Sequence, residues 1–496
     1  MTANEERNSW FSQQVLVAFL VATLVYNLGR LVYNVYLHPL ARFPGPKLAA
    51  MSDVWWGWAS TSGRYPWIIE DALKKYGDVV RIAPNELVFL TPQAAKDIYL
   101  AQEKHLELFV QVGYDALDTG DGGISGEPNP ERHYEVARKV APAFSMKSFK
   151  AKEPVVHKHI DIFIQKMLEI GDRGKGAELR QWSDWLGLDL SMSMTYGADM
   201  GQMQHMKDSV FLKSTLKLNL FLTMSQITRK FRILTLLMYL TIPPSIWSSL
   251  PKLMAMNSED VKARIGRRGQ TEGLDYFEQL LPPDKPVPQE KSEMLHLQNV
   301  LGQLLLASWQ PLSNQFYSLI FFLLSERDAC NALVQEVRTT FRNYDEITRE
   351  NTAKLEYLRA CLSESFRLHQ ETVDGLPRVT CQISYFAAAR GERFFTEPLK
   401  FRPDRWLSPD HPRFSAKYEK DDLKASKPFS QGPRGCPGGH IASSVLRLFA
   451  AKVLWQFDLD MVSGQDISFE KDFKFMTFWE RPPFFVQFKP VQRPLV

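Results

Sequence analysis

Phe429-Ser430-Gln431-Gly432-Pro433-Arg434-Gly435-Cys436-Pro437-Gly438 is the stretch on which the reading of this chain turns. Glycine and proline at this density make a tight, rigid turn whose amides can approach a sulfur closely. An amphipathic run starts directly after Cys436, so the thiol sits near a helix N-terminus, where amides and partial positive charge favour thiolate over thiol. An axial metal ligand requires that environment, and Arg434 is placed to pair an anionic group beside it. The plain alternative is a surface loop ahead of a helix, with an incidental buried cysteine.

The rest of the composition narrows the setting. A chain of 496 residues, 45% hydrophobic and 23% charged, can bury a substantial core, which excludes a disordered or collagen-like protein. A mean hydropathy of -0.24 argues against a channel of many spans. The net charge of +4 is too small and dispersed for a nucleic-acid binder, so no nucleic-acid partner is expected. Cys330, Cys361, Cys381 and Cys436 are too few for a disulfide scaffold and never stand at C-x-x-C spacing, as in a chain facing a reducing compartment.

Near the N-terminus, Phe11 to Leu28 is apolar from Val15 onward and is followed by Arg30. Its length suffices to cross a bilayer if the helix starts at Trp10. A cleaved signal peptide would want basic residues before the run and a small-residue site after it, whereas Glu5 and Glu6 precede it. An uncleaved anchor is therefore the preferred reading, with Arg30, Arg42 and Lys47 on the cytosolic side. Pro39, Pro44 and Pro46 then predict an extended, stiff hinge over 38–50, either a passive linker or a spacer that orients the main body against the bilayer.

Beyond Met51 no internal repeat appears and 3.6-residue periodicity dominates, as in His157 to Glu169, Leu295 to Leu324 and Ile441 to Phe457. Short strands are expected in Val79 to Leu90, a hairpin turned at Pro84-Asn85, and in Phe484 to Phe488. The charged, proline-bearing stretch Ser258 to Lys291 suits an exposed connection, and Ile233 to Ile242 is too short to span a membrane. Gly120 to Gly126 lacks the strand and spacing of a dinucleotide fingerprint, so it reads as a loop.

The decapeptide resembles the ligand loop F-x-x-G-x-R-x-C-x-G of the heme-thiolate enzymes called cytochrome P-450, matching at Phe429, Gly432, Arg434, Cys436 and Gly438. Glu364-Ser365-Phe366-Arg367 is similar to the family's E-x-x-R, and Phe401-Arg402-Pro403-Asp404-Arg405-Trp406 to its F-x-P-x-R-W. The hinge and Trp479-Glu480-Arg481-Pro482-Pro483 resemble the fungal secondary-metabolite branch. The resemblance implies a mainly α fold with small β-sheets, the cytochrome P-450 fold, carrying an N-terminal transmembrane anchor helix. It divides the chain into a segment 1–37 with the anchor at about 11–28, the hinge 38–50 and one heme-binding catalytic domain 51–496. By the same resemblance Cys436 is the axial ligand of heme iron, Phe429 belongs to the cofactor loop, and Arg434 and Arg378 reach the heme propionates. Glu364, Arg367 and Arg405 form a buried network that holds the loop. His133 stands where the family has the tryptophan of W-x-x-x-R, and Arg138 follows one step after the arginine position; Arg138 is carried over as a propionate partner.

Two departures stand out. The family activates oxygen on a helix bearing A-G-x-D/E-T-T/S, and the aligned residues here are Ala307-Ser308-Trp309-Gln310-Pro311-Leu312. Gln310 is no acid, Pro311 should kink the helix, and Ser308 or Ser313 is left to orient a water; Gln310 and Ser308 are the candidate oxygen-activating positions. Serines in helices more often bond to neighbouring backbone. The second departure lies between Arg378 and Tyr385, where six residues replace a strand and hairpin that the family supplies.

The resulting expectation is a membrane-anchored monooxygenase of the endoplasmic reticulum, single-pass and facing the cytosol. It would be a monomer that oxidises a small apolar secondary metabolite, terpenoid or polyketide-like, using heme, dioxygen and electrons from an NADPH-dependent reductase. The atypical helix motivates an alternative, a heme-thiolate enzyme of rearrangement, dehydration or peroxide chemistry, and a second one, a degenerate heme or membrane protein.

Overall fold

Long apolar periodicity becomes long helices, seen in a computed structural model that describes residues 3–100, 121–174, 176–231, 244–270, 274–371 and 381–491. The principal helices are α1 (Ala3–Val32), α2 (Pro130–Val140), α3 (Met146–Ile170), α4 (Leu179–Tyr196), α5 (Val210–Lys230), α6 (Pro244–Gly266), α7 (Tyr276–Leu280), α8 (Lys291–Ser325), α9 (Arg327–Thr340), α10 (Glu356–Leu368) and α11 (Gly439–Gln456). Starts are set by capping side chains. Asn129 accepts from the amides of Glu131 and Arg132 at α2, and Ser145 from Ser148 at α3.

α4 and the second half of α8 are buried on nearly all sides, and the polar residues α4 buries find partners there, Asp184 with Arg481 and Asp189 with the Met203 amide. The two helices lie along each other at Gly187, where a Cβ would collide with Ser313 Oγ, so only glycine permits this approach. α3, α10 and α11 close the same core, which runs from Trp67 to Phe488 in one apolar cluster. α8 is one helix from Lys291 to Ser325 with Pro311 inside it.

The strands are β1 (Val79–Ala83), β2 (Glu86–Phe89), β3 (Ala177–Glu178), β4 (Cys381–Ile383), β5 (Phe457–Met461), β6 (Lys474–Phe475), β7 (Trp479–Glu480) and β8 (Phe485–Pro490). Among the described residues they make three small sheets, ordered β1-β2-β4, β3-β8-β5 and β6-β7. The expected hairpin is present, with Val80 opposite Val88 and the turn at Pro84-Asn85. β4 adds in parallel, Leu87 beside Cys381 and Phe89 beside Ile383, so the short connection after Arg378 still delivers a strand to this sheet. Pro377 and Arg378 themselves, and the run Ile233 to Ile242, lie outside the described residues.

Two expectations need correction. The hinge turns rather than extends: its backbone folds back at residues 38–43, and Pro44 accepts from the Arg81 amide at 2.8 Å. Arg81, buried on β1, donates to the carbonyls of Asn34 (2.8 Å) and Pro84 (2.7 and 3.1 Å), while Asn34 donates to Met51. Proline removes donors, and a buried arginine supplies what the turned backbone then needs. The hinge is thus docked on β1. In the second case, Ser258 to Lys291 is only partly a loop, because α6 runs on to Gly266 and Tyr276 and Phe277 of α7 are buried.

α1 has the opposite character. Within Gln13–Leu37 the mean hydropathy reaches 2.0 over a window of which none is buried, and large side chains such as Phe19, Leu24 and Val25 stand exposed. Its length and composition are those of a helix able to cross a membrane.

Candidate functional site

The loop before α11 is held by its own backbone. Cys436 N donates to Phe429 O at 2.8 Å and Gly435 N to Gly432 O at 2.9 Å, a closed turn around the arginine. Gly432 has φ +77°, and a Cβ there would strike the carbonyl oxygen of Tyr99, so this position admits glycine alone. Phe429 anchors the loop on α10, edge-on to Phe366 with ring centroids 5.1 Å apart.

Cys436 is a free cysteine with an accessible face, and the amides of Gly438 and Gly439 donate to its sulfur. The crowding of the loop raises the thiol pKa all the same, with those two amides opposing the rise. The two amides favour the thiolate as expected, but desolvation of the sulfur exceeds what they return, and a cation at the sulfur would reverse the balance. Phe144 lies beside Gly438 and stacks on buried Tyr276 at 5.2 Å. Burial chiefly, then the charge of Cys436, raises the Tyr276 phenol.

Arg434 donates to the carbonyl of Glu127 at 2.7 Å, and burial lowers its pKa. His133 of α2 is buried and kept neutral, its pKa pushed down to about 4 by desolvation and by the charge of Arg434. Arg138, in the last turn of α2, is exposed. The residue that α2 buries in the field of Arg434 is thus His133, at the family's tryptophan position, rather than Arg138. The signal was in the sequence: a helix whose face changes every 3.6 residues cannot present positions 133 and 138 alike.

The ion network under the loop forms as expected. Arg367 forks onto Glu364 with two bonds of 2.7 Å, Arg405 Nε reaches Glu364 Oε1 at 3.1 Å, and all three side chains are buried. Trp406 Nε1 and the Arg402 amide complete the shell of Glu364 at 2.8 and 2.9 Å. Arg367 also donates to the carbonyls of Ala389, Pro398 and Lys400, and Arg405 pairs with Asp421 and donates to Thr396 O. Burial pushes Glu364 up, but Arg367 and Arg405 outweigh it and leave its carboxyl below the usual range.

On α8, Ser308 Oγ donates to the carbonyls of Leu304 and Leu305, and Ser313 Oγ to Trp309. Both hydroxyls are taken up by their own helix. Gln310 is buried, with Nε2 3.4 Å from the carbonyl of Trp479. One turn on, Asn314 and Gln315 donate to Glu371, a carboxyl that motif reading did not single out because it follows the E-x-x-R helix without a pattern of its own.

Among the described residues no group of three or more His, Cys, Asp or Glu could hold a metal. A lone accessible sulfur, fed by two amides and set in a rigid turn, is a donor set for a metal whose other ligands come from a macrocycle rather than the chain. The residues present therefore fit heme.

Comparison with known proteins agrees. The Cytochrome P450 family model matches residues 56–488. The chain is 40% identical to a cytochrome P450 monooxygenase of Talaromyces wortmannii, TwmD, over 96% of each chain. It is 31% identical to the monooxygenase poxC of Penicillium oxalicum, over 94% of this chain and 92% of the relative. It is 30% identical to btcC of Colletotrichum orbiculare, over 96% and 94%.

Proposed function

The chain belongs to the cytochrome P450 family, whose members bind heme iron and act as monooxygenases, and on that premise we propose that Cys436 is the axial iron ligand and that the substrate is a small apolar secondary metabolite. The observation that carries the reading is the Cys436 sulfur, accessible, met by the Gly438 and Gly439 amides, on a loop locked through Phe429 and Phe366 to the Glu364 network. Heme held there supplies the redox chemistry that activates dioxygen. Phe429 and Gly432 fix where the sulfur points, Arg434 and neutral His133 offer donors to an anionic propionate, and Arg378 is carried as a second such donor by resemblance. α8 borders the reaction space with Ser308 and Gln310 at the oxygen-activating positions.

The exposed apolar segment Gln13–Leu37 supports a single-pass anchor, and the hinge docked on β1 fixes the domain against it. Location follows as the endoplasmic reticulum membrane with the domain in the cytosol, where an NADPH-dependent reductase delivers electrons to a monomer. The terpenoid or polyketide-like class of the substrate rests on the fungal resemblance of the hinge and the Trp479 to Pro483 segment.

One observation favours the second reading, a heme-thiolate enzyme without oxygen insertion: neither Ser308 nor Gln310 offers a proton, since one is bonded to its own helix and the other is an amide. Turnover with reductase, NADPH and a panel of terpenoid and polyketide substrates separates them. Oxygen inserted in step with NADPH consumed, and abolished in Cys436→Ala, is the expected result. Product formed without NADPH or oxygen uptake establishes the second reading instead, and turnover surviving Cys436→Ala overturns the ligand assignment.

A further inference from the structure

The glycine-rich segment 121–126, whose sequence makes no dinucleotide fingerprint, is a tight loop gripped by one face of α8. Three α8 side chains, His296, Asn299 and Gln303, are spaced to stand in one row along the helix. His296 Nδ1 lies 3.0 Å from Asp121 Oδ1, and Asn299 donates from Nδ2 to Asp121 O at 3.1 Å. Gln303 holds the loop from both ends of its amide. Its Nε2 donates to Gly122 O at 2.9 Å, and its Oε1 accepts from the amides of Ile124 and Ser125 at 2.8 and 3.0 Å.

The glycines are what this grip requires. Gly123 has φ +57°, and a Cβ there would stand 2.6 Å from Gln303 Oε1. A Cβ at Gly122 would strike the backbone of Gly126 and Glu127, which turns back so that Gly126 N donates to Gly122 O at 2.8 Å. The glycine pattern that binds no dinucleotide is thus the seat of one amide side chain.

The far end of the same strap reaches the ligand loop. Arg434 Nη2 donates to Glu127 O at 2.7 Å, and Glu127 Oε1 accepts the Asn129 amide at 2.8 Å. Asn129 is the N-cap of α2, the helix that buries His133 in the field of Arg434. The strap 121–127 therefore joins α8 to Arg434 and His133, the two donors offered to a propionate. A thiolate occupies one axial face of heme iron and leaves the other for chemistry, so the cysteine loop and the oxygen-activating helix flank the heme. A strap tied to both must open before heme can leave.

We propose that Gln303 is a positioning residue for heme: by clamping the strap on α8 it holds Arg434 and His133 in place for the propionates and sets how slowly heme is lost. The inference rests on the heme-thiolate reading of the site. Removing the Gln303 amide takes from Ile124 N and Ser125 N their acceptor, which loosens the strap at its α8 end. Closed strap and bound heme support each other, and such coupling is reciprocal: the factor by which heme favours the closed strap is the factor by which the closed strap tightens heme.

The test uses the full-length, heme-loaded protein and Gln303→Ala, with transfer of heme to excess apomyoglobin as the readout. Gln303→Ala should keep the thiolate carbon monoxide band and lose heme about tenfold faster than wild type. Hydrogen exchange at Ile124 and Ser125 should quicken in the variant, while protection of the β1-β2 hairpin amides stays as in wild type. In wild type alone, the Ile124 and Ser125 amides should exchange about tenfold more slowly with heme than without it, a measurement that stands even if Gln303→Ala loads heme poorly. Heme loss at the wild-type rate in Gln303→Ala overturns the proposal, as does wild-type exchange at these two amides that heme leaves unchanged. Protection lost equally in the hairpin marks general destabilisation and overturns the positioning role. A wild type without the thiolate band overturns the heme reading and this one together, whereas an intact band with unchanged heme loss overturns the Gln303 assignment alone.

Discussion

At the scale of single residues, the loop is decided by what cannot be substituted. Gly432 occupies φ +77° with the Tyr99 carbonyl where a Cβ would stand, so strain and collision act together. Gly432→Ala should destabilise the protein by about 2–4 kcal/mol and lower its heme content, read by denaturant melts and by heme absorbance per chain. The identities of Cys436, Arg434 and Gly432 were legible because a tight turn around a sulfur needs particular residue types. The ionisation of Cys436 was not, since it depends on how closely the rest of the protein crowds the sulfur. For His133 and Arg138 the helical period showed that the two lie on different faces, but not that the histidine is the one buried in the field of Arg434, which packing decides.

At the scale of elements, α10 and the 3₁₀ turn Pro403–Trp406 are joined by one carboxylate. Glu364 is surrounded by Arg367, Arg405, Trp406 Nε1 and the Arg402 amide, and its removal leaves the buried Arg367 guanidinium without its charge partner and Arg405 with Asp421 alone. Glu364→Gln should cost about 3–5 kcal/mol at pH 7. Because the folded pKa of Glu364 lies below its unfolded value, its contribution is full above about pH 4.3 and is lost as pH falls through the folded value. Stability curves should therefore lose part of their acid dependence in Glu364→Gln; parallel wild-type and variant curves from neutral pH down through the acid range would contradict the role. This network was legible from E-x-x-R and F-x-P-x-R-W together, two fragments whose meaning depends on each other. α8 was legible as a helix by its period, yet its chemistry was not: Asn314 and Gln315 meet Glu371 through tertiary contact, Gln315 and Glu371 standing 56 positions apart in sequence.

For the whole molecule, an exposed apolar helix, a turned hinge docked on β1 and a helical body with three small sheets make one arrangement that holds Cys436 at the start of α11. The period of the helices and the hairpin at Pro84-Asn85 were readable in advance. The bend of the hinge was not, because it depends on Arg81 reaching back to Asn34 and Pro84. The connection shortened after Arg378 still places β4 beside β2, so the sheet next to the N-terminal helices survives it. Everything proposed about activity depends on iron bound through Cys436. The measurement that bears on this most directly is the carbon monoxide difference spectrum of the reduced, full-length purified protein and of Cys436→Ala. A thiolate-type band in wild type that disappears in Cys436→Ala is the predicted result; no such band in wild type, or the same band in the variant, would contradict it.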